Sequence, residues 1–307
     1  MIVGALLIVG GLAAVIWGAD RFTDGAVAAA RRLGVSAFWI GAVVAGLEPE
    51  NLVTGVAAAA ADLPQIALGT VIGSTAFMLT GALGVSLLVV PMAVTIPRAG
   101  AVAILVAVLA LGVVLADGRI GRGEGVVLVA TAVALMTWLY RRSRVFGAAG
   151  DDDTGEPPRG RQLLLLALGL LSLIIGADLI VRGARAVIAT SALSETFVGM
   201  IVVGLGESVE ETARLIVPAR RGHPDLALGN VVGTLVSLLT LNLGVIALVM
   251  PPVADPRVLQ FHVPFVAACA AGVAAALLLA RQLGRGTGAM LLGACAAYLT
   301  VNLVWLR

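Results

Sequence analysis

The sequence predicts an all-α membrane protein of ten transmembrane helices in two inverted five-helix repeats, and three observations carry that expectation. The 307 residues are 60% hydrophobic and 12% charged, with a mean hydropathy of +1.07, a balance that excludes an ordinary soluble chain. Apolar segments of the ~20 residues needed to cross ~30 Å of hydrocarbon recur along its whole length. The second half of the chain also repeats the first at a fixed offset.

Cut at charges and prolines, the segments fall at residues 2–18, 37–61, 65–90, 99–116, 123–140, 162–181, 195–218, 225–250, 258–280 and 287–306. No Arg or Lys precedes the first, so it reads as a retained helix rather than a cleaved signal peptide. The polar stretch at 142–161, with three consecutive Asp and two Pro, reads as a linker between a first repeat at 1–141 and a second at 162–307. Five spans per half is an odd number, so the second half enters the membrane from the opposite side. Assigning arginines to alternate loops puts fourteen on the linker side and six on the other. The positive-inside rule then places the linker in the cytoplasm and both termini outside, in a multi-pass protein of the cell membrane.

The repeat is plainest where PQIALGTVIGSTAFMLTGALGVSLLVVP (64–91) lies over PDLALGNVVGTLVSLLTLNLGVIALVMP (224–251), 160 residues later. Fourteen of these 28 positions are identical, including the paired Pro64/Pro224, Gly73/Gly233 and Thr80/Thr240. A weaker echo pairs Gly18-Ala19-Asp20 with Gly176-Ala177-Asp178. The two aspartates read as caps or interface groups at span ends. Inverted repeats are the architecture of many secondary transporters, whose sites lie near the midplane where interrupted spans of the two halves meet.

Those interruptions hold the carboxylates. The second span carries Glu48, Pro49, Glu50 and Asn51 midway along an apolar run, and the seventh carries Glu207, Ser208, Glu210 and Glu211. Five glutamates at membrane depth carry a burden above roughly 10 kcal/mol unless cations, protons or water relieve it. Arg214, the nearest basic residue, is assigned to the cytoplasmic end of its span, so no intramembrane arginine is expected to answer them. Hard dications such as calcium take several oxygens, which suits this set. Pro49 disfavours helix at Glu48 and should free backbone carbonyls. The third and eighth spans add Thr70, Ser74, Asn230 and Thr234 as candidate ligands, though for each hydroxyl a bond to the carbonyl four residues back competes.

The remaining features point away from other chemistry. Every one of the 20 basic residues is arginine, balanced by 18 acids to a net +2, so no basic stripe suggests a nucleic-acid partner. Cys269 and Cys295 lie in separate apolar runs without ligand spacing and read as buried thiols. His223 in a loop and His262 alone in a span suggest neither metal nor catalytic site.

With GLEPEN and GESVEE in paired spans, each followed about twenty residues later by ALGxVxG and Ser or Thr, the chain resembles the cation/calcium antiporter superfamily over nearly its whole length. That resemblance implies ten spans in two inverted halves and exchange of calcium for sodium or protons. The family motif G-T-S-x-P-E maps without gaps onto Gly46–Asn51 and Gly206–Glu211, setting Ser208 on its serine and Glu211 on its glutamate. Shifting by one residue in the first half instead sets Pro49 and Glu50 on the motif's last two positions. Met78 and Leu238 stand where sodium-coupled members have Asn or Asp, and the surplus glutamates mark a divergent member.

The expected function is therefore secondary antiport of calcium or a related divalent cation for protons or sodium by alternating access. Its partners are inorganic cations and the lipid bilayer, its cofactors none, its state a monomer. An antiporter or channel for another cation is the nearest rival. An integral-membrane metal-dependent hydrolase is disfavoured, because no His-rich set, serine elbow or phosphate loop accompanies the acids, and no enzymatic activity is expected.

Overall fold

The computed structural model describes residues 2–60, 64–94, 98–146, 159–188 and 209–305. Helix α1 (Ile2–Leu33) runs unbroken for 32 residues, about 48 Å at the usual rise. It passes well beyond the apolar segment expected at 2–18, so Asp20 and Arg21 lie within a helix rather than at its end. Gly34, at φ +61, stops it: the Val35 amide donates to the Ala30 carbonyl (3.1 Å) and the Gly34 amide to that of Arg31 (3.2 Å). This is the Schellman arrangement, in which a left-handed residue satisfies the last carbonyls, and glycine takes that conformation without a Cβ penalty.

The second expected span is broken in two. Helix α2 (Ala37–Ile40) passes into a π-helical turn at Gly41–Ala45, and α3 starts afresh at Pro49–Ala60. Proline disfavours the right-handed α conformation at the residue before it, and Glu48 adopts φ +51 instead, at a cost of about 1–2 kcal/mol for a residue with a Cβ. Two bonds to its carbonyl offset that cost, from the Leu52 amide at 3.1 Å and from Asn242 Nδ2 at 3.2 Å.

Two further segments have matching construction. Helix α4 (Pro64–Phe77) continues through a π turn at Met78–Ala82 into α5 (Leu83–Val89). After α6 (Ala99–Val114), α7 (Arg122–Phe146), α8 (Arg159–Ile188) and α9 (residues 209–220), the pattern recurs. Helix α10 (Pro224–Val236) runs through a π turn at Ser237–Asn242 into α11 (Leu243–Val249). A π turn at Val258–His262 then leads into α12 (Val263–Leu279), and α13 (Arg285–Trp305) closes the chain.

Among the described residues seven helices are long and apolar enough to cross a membrane, and Asn51–Ala60 and Ala99–Val114 are shorter apolar ones. Most of the span expected at 195–218 lies outside the described residues. Protein encloses 83% of the most apolar stretch of Pro224–Val249 and 67% of that in Ile66–Val89, against 28% or less in the other five. The repeated pair therefore forms the centre, and the rest present their apolar faces outward, as a lipid-facing surface requires.

Glycines set how closely the backbones meet. A methyl group at Gly11 would strike the Gly176 carbonyl at 2.6 Å, and one at Gly183 the Gly4 carbonyl at 2.6 Å, so α1 and α8 pack backbone against backbone along a small-residue seam. Gly18 and Gly176 of the echoed Gly-Ala-Asp both belong to this seam. Gly229 and Gly233 likewise leave no room for a Cβ against the carbonyls of Phe38 and Ala42, which seats α10 directly on the broken span. Short strands β1 (Met92–Ala93) and β2 (Gln282–Leu283) pair antiparallel, tying the turn after α5 to the turn before α13. An Arg119–Val253 bridge ties the turn before α7 to the turn before α12. Cys269 and Cys295 are free thiols.

A buried carboxylate site

The break in the second span points Glu48 at α9 and α10. Glu48, Glu210 and Glu211 converge on a cavity of about 40 Å³ that Asn51, Ser74, Thr234, Met78 and Leu238 also line. That volume suits one ion with little accompanying water. The polar side chains interlock: Asn51 Nδ2 donates to Glu48 Oε2 (3.0 Å), Ser74 Oγ to Asn51 Oδ1 (3.0 Å) and Thr234 Oγ1 to Glu48 Oε1 (3.0 Å). Asn230 Nδ2 donates to Glu211 Oε2 at 3.0 Å. Thr70 turns elsewhere, bonding the Ile66 carbonyl at 3.0 Å, the local arrangement open to any helical hydroxyl. Glu207, Ser208 and the side chain of Glu50 lie outside the described residues.

Arg214 corrects the expectation that no arginine answers these acids. Its side chain is 3% exposed and reaches into the carboxylates. Nη1 donates to Glu211 Oε1 at 2.8 Å, to the Ala45 carbonyl at 3.1 Å and to Glu48 Oε1 at 3.4 Å, while Nη2 bonds Glu210. The misplacement has a simple cause. Helix α9 continues to residue 220, so Arg214 lies six residues, roughly 9 Å, inside its end. Removing it from the linker-side tally leaves thirteen arginines against six. The spacing was itself a signal, since Glu210 and Glu211 stand four and three residues before Arg214, the separations that put helical side chains on one face.

The described side chains thus hold three carboxylates against one guanidinium, a formal excess of two negative charges. Asn242 is a second residue missed from the sequence. It is fully buried, and its amide supports the Glu48 carbonyl from the π turn of the eighth span. A lone Asn in the run LLTLNLG was the available cue, because an amide in an apolar span needs a partner. Nearer the surface, Arg221 joins α1 through Asp24 Oδ1 (2.5 Å) and the Asp20 carbonyl (3.1 Å), and Asp178 pairs with Arg182 at 2.7 Å. His262 Nδ1 meets the Tyr298 hydroxyl at 2.8 Å, away from the acids.

Known proteins resemble this chain over nearly its whole length. The sequence matches the family model for the sodium/calcium exchanger protein over residues 3–141 and 161–304. It is 29% identical to the inner membrane protein YrbG of Escherichia coli (strain K12) over 323 aligned residues, covering 100% of this chain and 98% of the relative. It is 24% identical to the sodium/calcium exchanger MaX1 of Methanosarcina acetivorans, across 97% of this chain and 98% of that protein. The fold is that of the sodium-calcium exchanger NCX_Mj, with a TM-score of 0.83 over 100% of this chain and 99% of that one at 24% identity.

Proposed function

Because the chain belongs to the sodium/calcium exchanger protein family, a family of membrane antiporters rather than enzymes, we propose that it exchanges calcium or a related divalent cation for protons or sodium by alternating access. The observation that carries this reading is the meeting of Glu48 with Glu210 and Glu211 at one buried cavity, since it draws on both repeated halves. Glu50, Glu207, Ser208, Asn51, Ser74, Asn230 and Thr234 complete the ligand set, whereas Thr70, bonded to the Ile66 carbonyl, stands apart from it.

The proposed architecture is ten spans in two inverted halves, 1–141 and 162–307, joined by a cytoplasmic linker, with both termini outside and the monomer as working unit. Its support lies in the strand ties. The third-span segment leads into β1, and β1 pairs beside the end of α12. The matching eighth-span segment leads toward Val253, which bridges to Arg119 near the start of α12. Two segments alike in sequence that emerge at opposite ends of α12 run in opposite directions.

Protons are the better-supported counter-ion. The side chains of Met78 and Leu238 line the cavity and offer no oxygen to a second metal ion, whereas a carboxylate can carry a proton on the return step without a further ligand. Calcium uptake into inside-out vesicles under separately imposed pH and sodium gradients tests both points. The pH gradient should drive uptake in the parent, and Glu48→Gln, Glu50→Gln and Glu210→Gln should each lower it at least tenfold. Undiminished uptake in all three variants sinks the site.

A further inference from the structure

A cation-transport site with a permanently charged side chain inside it poses a question of occupancy. Arg214 Nη1 stands 2.8 Å from Glu211 Oε1, 3.4 Å from Glu48 Oε1 and 3.1 Å from the Ala45 carbonyl. Two carboxylates, one from the break in the second span and one from α9, plus a backbone carbonyl are the ligand types a hard dication gathers, at the shorter distances of about 2.3–2.6 Å. The Ala45 carbonyl is available because the π turn ends there and the chain leaves helical geometry at Gly46. The guanidinium therefore occupies the oxygens a metal ion would use.

Two more acceptors stand by. Among the described residues Asn230 Oδ1 and Asn242 Oδ1 have no hydrogen-bond partner, in residues no more than 1% exposed. Each residue spends its amide hydrogens on the acid cluster, at Glu211 Oε2 (3.0 Å) and at the Glu48 carbonyl (3.2 Å). Arginine satisfies neither oxygen, whereas a cation accepts additional amide oxygens readily. Among the described residues no three His, Cys, Asp or Glu side chains stand close enough to hold a metal ion.

We propose that Arg214 is a tethered competitor of the transported cation, the guanidinium and the ion taking the oxygens of Glu48, Glu211 and Ala45 in turn. This rests on the cation-transport reading. Arginine does not lose its charge in proteins, so it gives up the site by moving, not by releasing a proton. A dication in its place reduces the excess of two negative charges to one, which favours the ion over the resident side chain. When the ion leaves, Arg214 returns, and the three carboxylates do not face one another without a cation between them.

The test is thermal unfolding of the purified full chain in detergent, titrated separately with calcium, manganese and sodium, for the parent, Arg214→Gln and Arg214→Lys. In R214Q at least one of the three ions should raise the unfolding midpoint at a concentration at least tenfold lower than in the parent. R214K, which keeps a tethered charge, should resemble the parent. Should R214Q not fold, the double variant R214Q/E210Q carries one acid fewer and the same expectation. Equal ion concentrations in parent and glutamine variant for all three ions, or a lysine variant matching the glutamine one, would overturn the proposal. Vesicle uptake separates the two readings: a parent that transports no cation, beside a glutamine variant newly stabilised by one, removes antiport and leaves the tethered competitor.

Discussion

The two halves place an acid in the same cavity by opposite means. On the first side the helix is broken: Pro49 ends it, Glu48 takes a left-handed conformation, and its carboxylate is held by the neutral donors Asn51 and Thr234. On the second side Glu210 and Glu211 sit in successive helical positions of α9 and are held by a cation three and four residues on. A strained backbone with two neutral donors and a 3.4 Å contact to Arg214 answers one carboxylate, and a regular helix carrying that guanidinium, helped by Asn230 at Glu211, answers two. The pair teaches that the backbone break is not what makes buried acids tolerable. Each acid needs donors, and a break is one way to bring them.

The comparison breaks most sharply at the shared cation. Replacing Arg214 with Leu leaves three buried carboxylates uncompensated, and apparent stability in a denaturant titration should fall by about 3–5 kcal/mol. Adding Glu211→Gln to that variant should recover part of the loss, and simple additivity of the two changes would show that the residues are uncoupled. Next in size is the contact that seats the broken span on α10. Gly233→Ala puts a methyl group against the Ala42 carbonyl and should cost about 1–3 kcal/mol, as overpacking does, with calcium uptake falling in step because Thr234 is its neighbour.

Smaller effects sharpen the picture of the break itself. Asn242→Leu removes a donor to the Glu48 carbonyl and should destabilise by about 1–2 kcal/mol, while an Asn242→Asp variant should fare worse because it sets another acid beside Glu48. The surface pairing of Arg221 with Asp20 and Asp24 is exposed, so Arg221→Ala should change stability by less than about 1 kcal/mol, and the change should vanish at high salt.

The smallest effect is a pH dependence at His223, which caps α10. Burial pushes its imidazole below the usual value, the Arg221 and Arg31 guanidiniums act in the same direction, and Asp225 and Asp24 oppose them. The folded protein prefers the neutral ring, so the stability it contributes is complete above the ordinary histidine pKa and is lost as the pH falls below it. His223→Gln should flatten stability measured from pH 7 to pH 5, and an unchanged slope would locate the acid sensitivity elsewhere.

How much of this was legible depends on the range of the forces involved. Segment positions were, because hydropathy over twenty residues reflects a large transfer energy that tertiary context does not reverse: α4–α5, α10–α11, α12 and α13 lie where the apolar runs put them. The break at Pro49 was legible for a local reason, since the ring's clash with its predecessor needs no partner. The length of α1 was not, because a helix does not stop where apolarity stops. Asp20 and Arg21 continue it at little cost once α8 packs alongside. Arg214 was misplaced because it stands only four residues inside the expected end of its span at 218; the helix runs two residues further, to 220, and the long side chain reaches back to Glu210 and Glu211 instead of out to the interface. Asn242 could be recognised as anomalous, but its partner lies 194 residues away, and no local pattern names a contact that distant.

Arg214 also has an electrical consequence. A fixed positive charge among membrane-spanning helices lies inside the transmembrane field, where carrying one elementary charge across the full potential is worth about 2.3 kcal/mol per 100 mV. Any travel of the guanidinium along the membrane normal performs a fraction of that work. If Arg214 yields its place to the ion as proposed, its displacement along the membrane normal would register as a transient current even in a cycle whose ion stoichiometry is electroneutral.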